Sequence, residues 1–391
     1  MTVYADNAAT TRLSDKAFNA MQPLLKEVYG NPSSLHSLGQ QAKTLLEQSR
    51  EKIALSIGAS PKEIYFTSGG SEADNQAIRT AAYIGKAKGK NHIISSAFEH
   101  HAVLHTLDAL KKEGFEITLI KPDRNGLINE KDIENEIKDE TCLVTVMMAN
   151  NEIGTIQPVE KIAEICKEKK VLFHTDAVQA IGHIPVDVEK IGCDMLSASG
   201  HKFHGPKGTG FLYVKKGIIL KNLIEGGAQE RGKRAGTENL PAIVGMAEAI
   251  EEAVSNLESN MSRVTSLRNR LIDGLSGIER SFLNGDREKR LPGNVNMCFE
   301  GIEGESLLLL LDRKGICASS GSACTSGSLD PSHVLLSIGV PVEIAHGSLR
   351  LSLSEYNTEE EIEHIIESVP QVVDYLRSIS PVWEKIKKEE K

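Results

Sequence analysis

Basic residues are in deficit in this chain: 45 Lys and Arg stand against 54 Asp and Glu, a formal net charge of −9. That balance argues against a nucleic-acid-binding surface, because phosphate contacts need a basic face. Long apolar runs are missing too. The longest, Leu307 to Leu311, is far too short to span a bilayer and reads as a short stretch of buried helix. Met1 to Asp6 lacks a basic region followed by an apolar stretch, so no secretory signal is expected. The six cysteines form no C-x-x-C pair, which points away from a disulfide framework and from a zinc cluster. A reducing, cytoplasmic setting is the simplest expectation.

What is present is an ordinary soluble composition, 40% apolar and 25% charged, over 391 residues. That length exceeds one simple core and suggests two domains. From about Lys62, short β-rich runs alternate with helical patterns. The expected strands are Glu63 to Thr67, His92 to Ser96, Glu116 to Ile120, Leu143 to Met148, Val171 to Asp176, Met195 to Ala198 and Gly210 to Val214. Apolar strands separated by helices predict an α/β fold with a mostly parallel sheet covered on both faces. Ligands of such sheets bind beyond the carboxyl ends of the strands. After Pro241 the period becomes helical, and Ala242 to about Gly274 reads as a helix leading out of the first domain. Asn294 to Phe299 and Ser348 to Leu353 then predict strands of a smaller α+β domain, joined by the N-terminal arm.

Four features carry chemistry. Ser68-Gly69-Gly70-Ser71 follows a strand and opens a helix, a turn whose free N–H groups suit a phosphate. Glu72 and Asp74 just inside that helix are equally readable as complements to its dipole. The turn is neither G-x-G-x-x-G nor a P-loop, which lowers a dinucleotide or ATP reading. Asp176 ends an apolar strand, where it is either a helix N-cap or a carboxylate awaiting a positive partner such as a protonated ring nitrogen. Lys202 lies in Ser199-Gly200-His201-Lys202-Phe203-His204-Gly205, hemmed in by Gly, His and aromatic residues as a Schiff-base lysine is, although alone it reads as a surface lysine. Cys324 sits among small, mostly polar residues from Ala318 to Ser328, a pattern that predicts an exposed, mobile loop and a reacting thiol. The other five cysteines lie in apolar or helical stretches and read as structural.

A phosphate turn, an acid for a pyridinium nitrogen and an imine-forming lysine are together what pyridoxal phosphate requires. With Tyr4 to Thr11, Gly30 to Ser34, Glu99-His100, Asn150 to Gly154, Asp176 to Gln179, Ser199 to Lys202, Arg234 to Thr237 and Ser319 to Gly327, the chain resembles NifS/IscS-type cysteine desulfurases nearly end to end. Those are pyridoxal-phosphate enzymes of the class V aminotransferase group. The resemblance implies a fold type I transferase with a seven-stranded large domain, 15–255. The small domain, 1–14 and 256–391, would carry the catalytic cysteine loop at about 318–330. It also implies roles. Lys202 forms the Schiff base and moves protons; Asp176 pairs with the ring nitrogen; Gln179 and Asn151 contact the ring substituents; His100 stacks on the ring and acts as acid or base. Gly70, Ser71, Ser199 and His201 bind the phosphate, with Thr237 given by the second subunit of a homodimer. Arg350 holds the substrate carboxylate, with Asn31 nearby, and Cys324 is the nucleophile that becomes a persulfide. No resident metal is implied, Cys324 being at most a transient iron–sulfur ligand. Ser71 stands where the family often has threonine, which keeps the hydroxyl. The long Ser/Gly loop fits delivery of sulfur to an iron–sulfur scaffold or another protein acceptor.

Three rivals remain at this level. An aminotransferase or selenocysteine lyase would share the cofactor residues without needing Cys324. Glu99-His100-His101 with His105 is readable as a metal-binding segment, although no H-E-x-x-H occurs. A passive iron–sulfur scaffold lacks cluster-type cysteine spacing.

Overall fold

A computed structural model describes residues 1–320 and 331–389; Cys324, the expected nucleophile, lies outside the described residues. The chain opens on β1 (Val3–Tyr4), followed by α1 (Asp15–Met21) and α2 (Ser37–Ser56). Next comes β2 (Ile64–Thr67), then α3 (Gly70–Lys86), β3 (His92–Ser96), α4 (His101–Lys112) and β4 (Glu116–Ile120). β5 (Thr141–Thr145), β6 (Leu172–Asp176), β7 (Met195–Ser199) and β8 (Gly210–Val214) complete a seven-stranded sheet of order β2-β8-β7-β6-β5-β3-β4. Every neighbouring pair from β7 to β4 is parallel; β8 alone runs against its neighbours. This is the mostly parallel α/β sheet the strand pattern predicts. Its central strands β3, β5, β6, β7 and β8 are buried at every position except Leu172, because helices cover both faces.

Beyond it, β9 (Ser281–Leu283), β10 (Asn294–Phe299), β11 (Ile316–Cys317) and β12 (Ser348–Ser352) form two further sheets. β10 pairs antiparallel with β9 and β12, and β1 pairs parallel with β11. Val295, Met297, Phe299, Leu349 and Leu351 build a second apolar core with Val3, Ala5 and the inner faces of the helices Leu257–Ser276 and Glu359–Ser378. The N-terminal arm therefore belongs to this core. It then crosses to the large sheet, where Thr11 N donates to the His201 carbonyl at 3.0 Å.

Two expectations are corrected. The helix expected over 242–274 is two helices, Leu240–Ser255 and Leu257–Ser276. Asn256 breaks the run: its side-chain amide donates to the Glu252 carbonyl at 3.0 Å and competes with the backbone ladder. The leucine run lies in the helix Gly304–Arg313, but only Leu307 and Leu311 are buried, while Leu309 is 69% exposed. Spacing of four keeps one stripe inward, and five consecutive leucines cannot all lie on it.

Candidate active site

The carboxyl ends of β2, β3, β5, β6 and β7 open into one cavity of about 360 Å³. Ten of the thirteen site residues expected from sequence line it: Gly70 and Ser71 after β2, His100 after β3, Asn151 after β5, Asp176 and Gln179 at the end of β6, Ser199, His201 and Lys202 after β7, and Arg350 from β12. Asn31 is exposed and outside it, Thr237 lines a neighbouring cavity with Arg234 and Glu230, and Cys324 falls on undescribed residues.

Lys202 closes a short 3₁₀ turn, Gly200–Lys202, that β7 delivers to the cavity. Its Nζ donates to the carbonyls of Ala8 at 2.6 Å and Ala9 at 2.9 Å, so the N-terminal arm holds the amine in place. His183 Nε2, 2.9 Å from the Lys202 carbonyl, fixes the backbone behind it. Asp176 is buried; its Oδ1 accepts from the Val178 N–H at 2.9 Å. Burial pushes its carboxyl up, opposed by that hydrogen bond and by the charge of Lys202. A buried acid so placed gains most from a cationic ligand.

The phosphate-type turn has room for an anion. Gly69 gives α3 no side-chain cap, and a Cβ at Gly70 would meet Val178 Cγ2 at 2.7 Å, so the close approach of the turn to β6 requires glycine there. A second cavity beside the first is lined by Gly70, Ser71, Ser199, His201, Lys207 and Thr10. Glu72 does not oppose an anion there: Arg234 pairs with it at 2.9 and 3.2 Å, which with the Ser68 N–H holds its carboxyl low despite burial. Burial and then Lys202 push His201 down to about 4, and its Nδ1 lies 3.1 Å from Thr10 Oγ1. His100 caps α4, its Nδ1 accepting from the Ala102 N–H at 3.1 Å. Burial and Lys202 push it down to about 4, so at neutral pH it is a neutral imidazole with its proton on Nε2. Arg350 is buried, with Nη2 2.9 Å from Asp6 Oδ1 and Nη1 3.2 Å from the Asn151 carbonyl. Its buried Nε has no hydrogen-bond partner among the described residues.

These groups fit pyridoxal phosphate: the Lys202 amine, the buried Asp176 carboxylate and an uncapped helix start all line one cavity. His101 and His105 stack with ring centroids 5.1 Å apart, and His101 lies 4.8 Å from His333. Among the described residues no His, Cys, Asp and Glu cluster is arranged to hold a metal ion. Three contributors were missed at the sequence level: the Ala8 and Ala9 carbonyls, Thr10, and Asp74. The first two lie in the Tyr4 to Thr11 motif, whose side chains signal no role for its carbonyls. From sequence Asp74 reads only as a helix-dipole complement.

The model of the family described as aminotransferase class V matches residues 3–365. The chain belongs to the class V aminotransferase family, among its NifS/IscS-type cysteine desulfurases. It is 54% identical over 385 residues to "Cysteine desulfurase IscS" of Clostridium botulinum, covering 98% of this chain and 97% of that one. It is 53% identical over 383 residues to the protein of that name from Methanosarcina thermophila, covering 98% and 95%. A solved structure titled "NIFS-LIKE PROTEIN" superposes with a TM-score of 0.91 at 41% identity, covering 96% of this chain and all of that one. The fold is therefore that of the type I pyridoxal-phosphate enzymes, as the resemblance implied.

Next to the site, Glu230 sits in left-handed backbone, φ 48°, in the segment that leads to Arg234 and Thr237. Buried Arg50 holds it at 2.8 and 2.7 Å, and the Phe66 N–H donates to it at 2.9 Å. Removing Glu230 leaves the buried Arg50 charge only half-exposed Glu47, 3.4 Å from its Nε. Glu230→Ala should cost about 3–5 kcal/mol in urea unfolding, and Arg50→Met with Glu230→Met should recover most of it. Equal losses in the single and double variants would show that the pair's charge is not what matters.

Proposed function

We propose that the protein is a pyridoxal-phosphate-dependent cysteine desulfurase that converts L-cysteine to L-alanine and passes the sulfur to Cys324 as a persulfide. The observation that carries this is the meeting of Lys202, Asp176 and Arg350 around one cavity at the strand ends. A relative titled "SspA in complex with cysteine", 36% identical with a TM-score of 0.81 over 91% of this chain and all of that one, supports the substrate class.

Bound there, the cofactor would supply an imine and an electron sink for the substrate's Cα carbanion. Lys202 Nζ would hold the cofactor in the resting enzyme and, once displaced by the substrate amine, move the Cα proton. Asp176 would hold the proton on the ring nitrogen, Gln179 and Asn151 would orient the ring, and the α3 turn with Ser71, Ser199 and His201 would bind the phosphate. His100 would lie on the ring face and exchange a proton through Nε2. Arg350 Nε would take the substrate carboxylate. The Cys324 thiolate attacks the substrate sulfur: an S–S bond forms, the C–S bond breaks, and its electrons pass to Cβ, which takes a proton to give alanine.

In this reading two copies pair, Thr237 of each reaching the other's phosphate. The persulfide would pass to an iron–sulfur scaffold or another acceptor in the cytoplasm. The division into 15–255 and 1–14 with 256–391 is supported by the second apolar core. Val334, Leu335 and Ala345 nevertheless pack on the large core, so the seam between the units is wide. Among the described residues no helix is long and apolar enough to cross a membrane.

The test is alanine production from L-cysteine with no keto-acid present. One alanine per sulfur released is expected. A requirement for a keto-acid acceptor would point to the aminotransferase instead.

A further inference from the structure

Asp74 lies near the start of α3, 1% exposed, and lines the cavity with Asp176. Its Oδ1 is buried with no hydrogen-bond partner among the described residues. The groups acting on it come from two strands and a turn: Asp176 and His174 from β6, Ser197 from β7, and Glu99 from the turn after β3. His174 Nε2 is 3.7 Å from that Oδ1. It supplies no charge, because burial pushes the imidazole down to about 3, and Thr145 Oγ1 at 2.8 Å and Ser197 Oγ at 2.9 Å satisfy its two nitrogens as a neutral ring. Burial first, then the Asp176 charge, push the Asp74 carboxyl well above its ordinary range; Glu99 adds to this and the Ser197 hydroxyl opposes it. Lys202 acts on Asp176, and Glu72, on the same helix, is occupied by Arg234. A second buried carboxylate beside Asp176, on which Lys202 acts, is therefore driven towards its neutral form.

We propose that Asp74 is a positioning residue that keeps its proton, so that the site presents a single negative charge, on Asp176, to the ring nitrogen of the cofactor. This rests on the reading of Asp176 as the ring-nitrogen partner. It assigns the two acids opposite states: the one at the strand end charged, the one on the helix neutral.

The test compares wild type, Asp74→Asn and Asp176→Asn, as apo-protein and on titration with pyridoxal phosphate. An acid that folding forces to stay protonated loses stability as pH rises from its unfolded value, about 3.9, towards its folded one. The amide lacks that penalty, so apo Asp74→Asn should melt above wild type by about 2 °C or more at pH 8, with the gap closing towards pH 5. At pH 7 its dissociation constant for pyridoxal phosphate should stay within about threefold of wild type, while Asp176→Asn weakens binding tenfold or more. Should Asp74→Asn not fold, infrared spectra of ¹³C-aspartate-labelled wild-type holoenzyme at pH 7 decide, since that label separates a protonated aspartate from Glu99. A protonated band supports the assignment. Its absence means an Asp74–His174 ion pair and overturns it, as does a tenfold affinity loss in Asp74→Asn or an equal melting drop at both pH values. If wild type itself takes up no pyridoxal phosphate, the reading of the site fails, and the apo melting curves still judge Asp74.

Discussion

Lys202→Ala should purify without visible absorbance and turn over L-cysteine at least about 10⁴-fold more slowly than wild type. The expectation is this large because the proposed function gives one nitrogen two tasks. It would hold the cofactor as an imine, and it would carry the Cα proton after the substrate displaces it. The structure shows how the amine is kept ready. It is anchored on two carbonyls of the N-terminal arm, Ala8 and Ala9, and its backbone is fixed by His183. Among the described residues no second lysine lines the cavity; Lys207 lines only the adjoining one. The effect is read from the absorbance spectrum of the purified variant and from single-turnover alanine formation. Wild-type absorbance in the variant would remove the lysine from its assigned place.

The arm that anchors Lys202 also marks the limit of what sequence reading reached. Strand patterning located the strands closely: β3, β4, β8 and β10 match the expected bounds, whereas β5 is Thr141–Thr145 rather than Leu143 to Met148. The rule that ligands sit beyond parallel strand ends then led to Gly70, Asp176 and Lys202, and all three line one cavity. Legibility stops where a role depends on what faces a residue across the fold. Ala8 and Ala9 act through carbonyls, which no side-chain pattern signals. Asp74 looks like any acid early in a helix until Asp176 and a neutral His174 are seen beside it. Arg50 and Glu230 are 180 residues apart, so nothing local foretells their buried pair. The break at Asn256 was missed because periodicity runs straight through a residue whose side chain disrupts it.

Cys324→Ser should still bind pyridoxal phosphate and L-cysteine, yet form no persulfide, with sulfur release reduced by about 10³-fold or more. The size of that loss depends on whether another thiol can step in. Burial raises Cys142 and Cys298 to about 11 and Cys166 and Cys193 to about 12. At pH 7.5 less than about one in a thousand of each is the nucleophilic thiolate. Cys142 spends its thiol on the His92 carbonyl at 3.3 Å, and Cys298 accepts from the Asn284 amide at 3.1 Å. Cys317 is the exception, only half-buried on β11, so Cys317→Ser is the control and should leave sulfur transfer near the wild-type rate. The measurement is mass spectrometry of the protein after one turnover with ³⁴S-cysteine. A single added sulfur in wild type and in Cys317→Ser, absent in Cys324→Ser, is the expected pattern. Full alanine and sulfide output from Cys324→Ser would mean that the C–S bond breaks without a protein acceptor. The Ser/Gly-rich stretch around position 324 would then need another purpose.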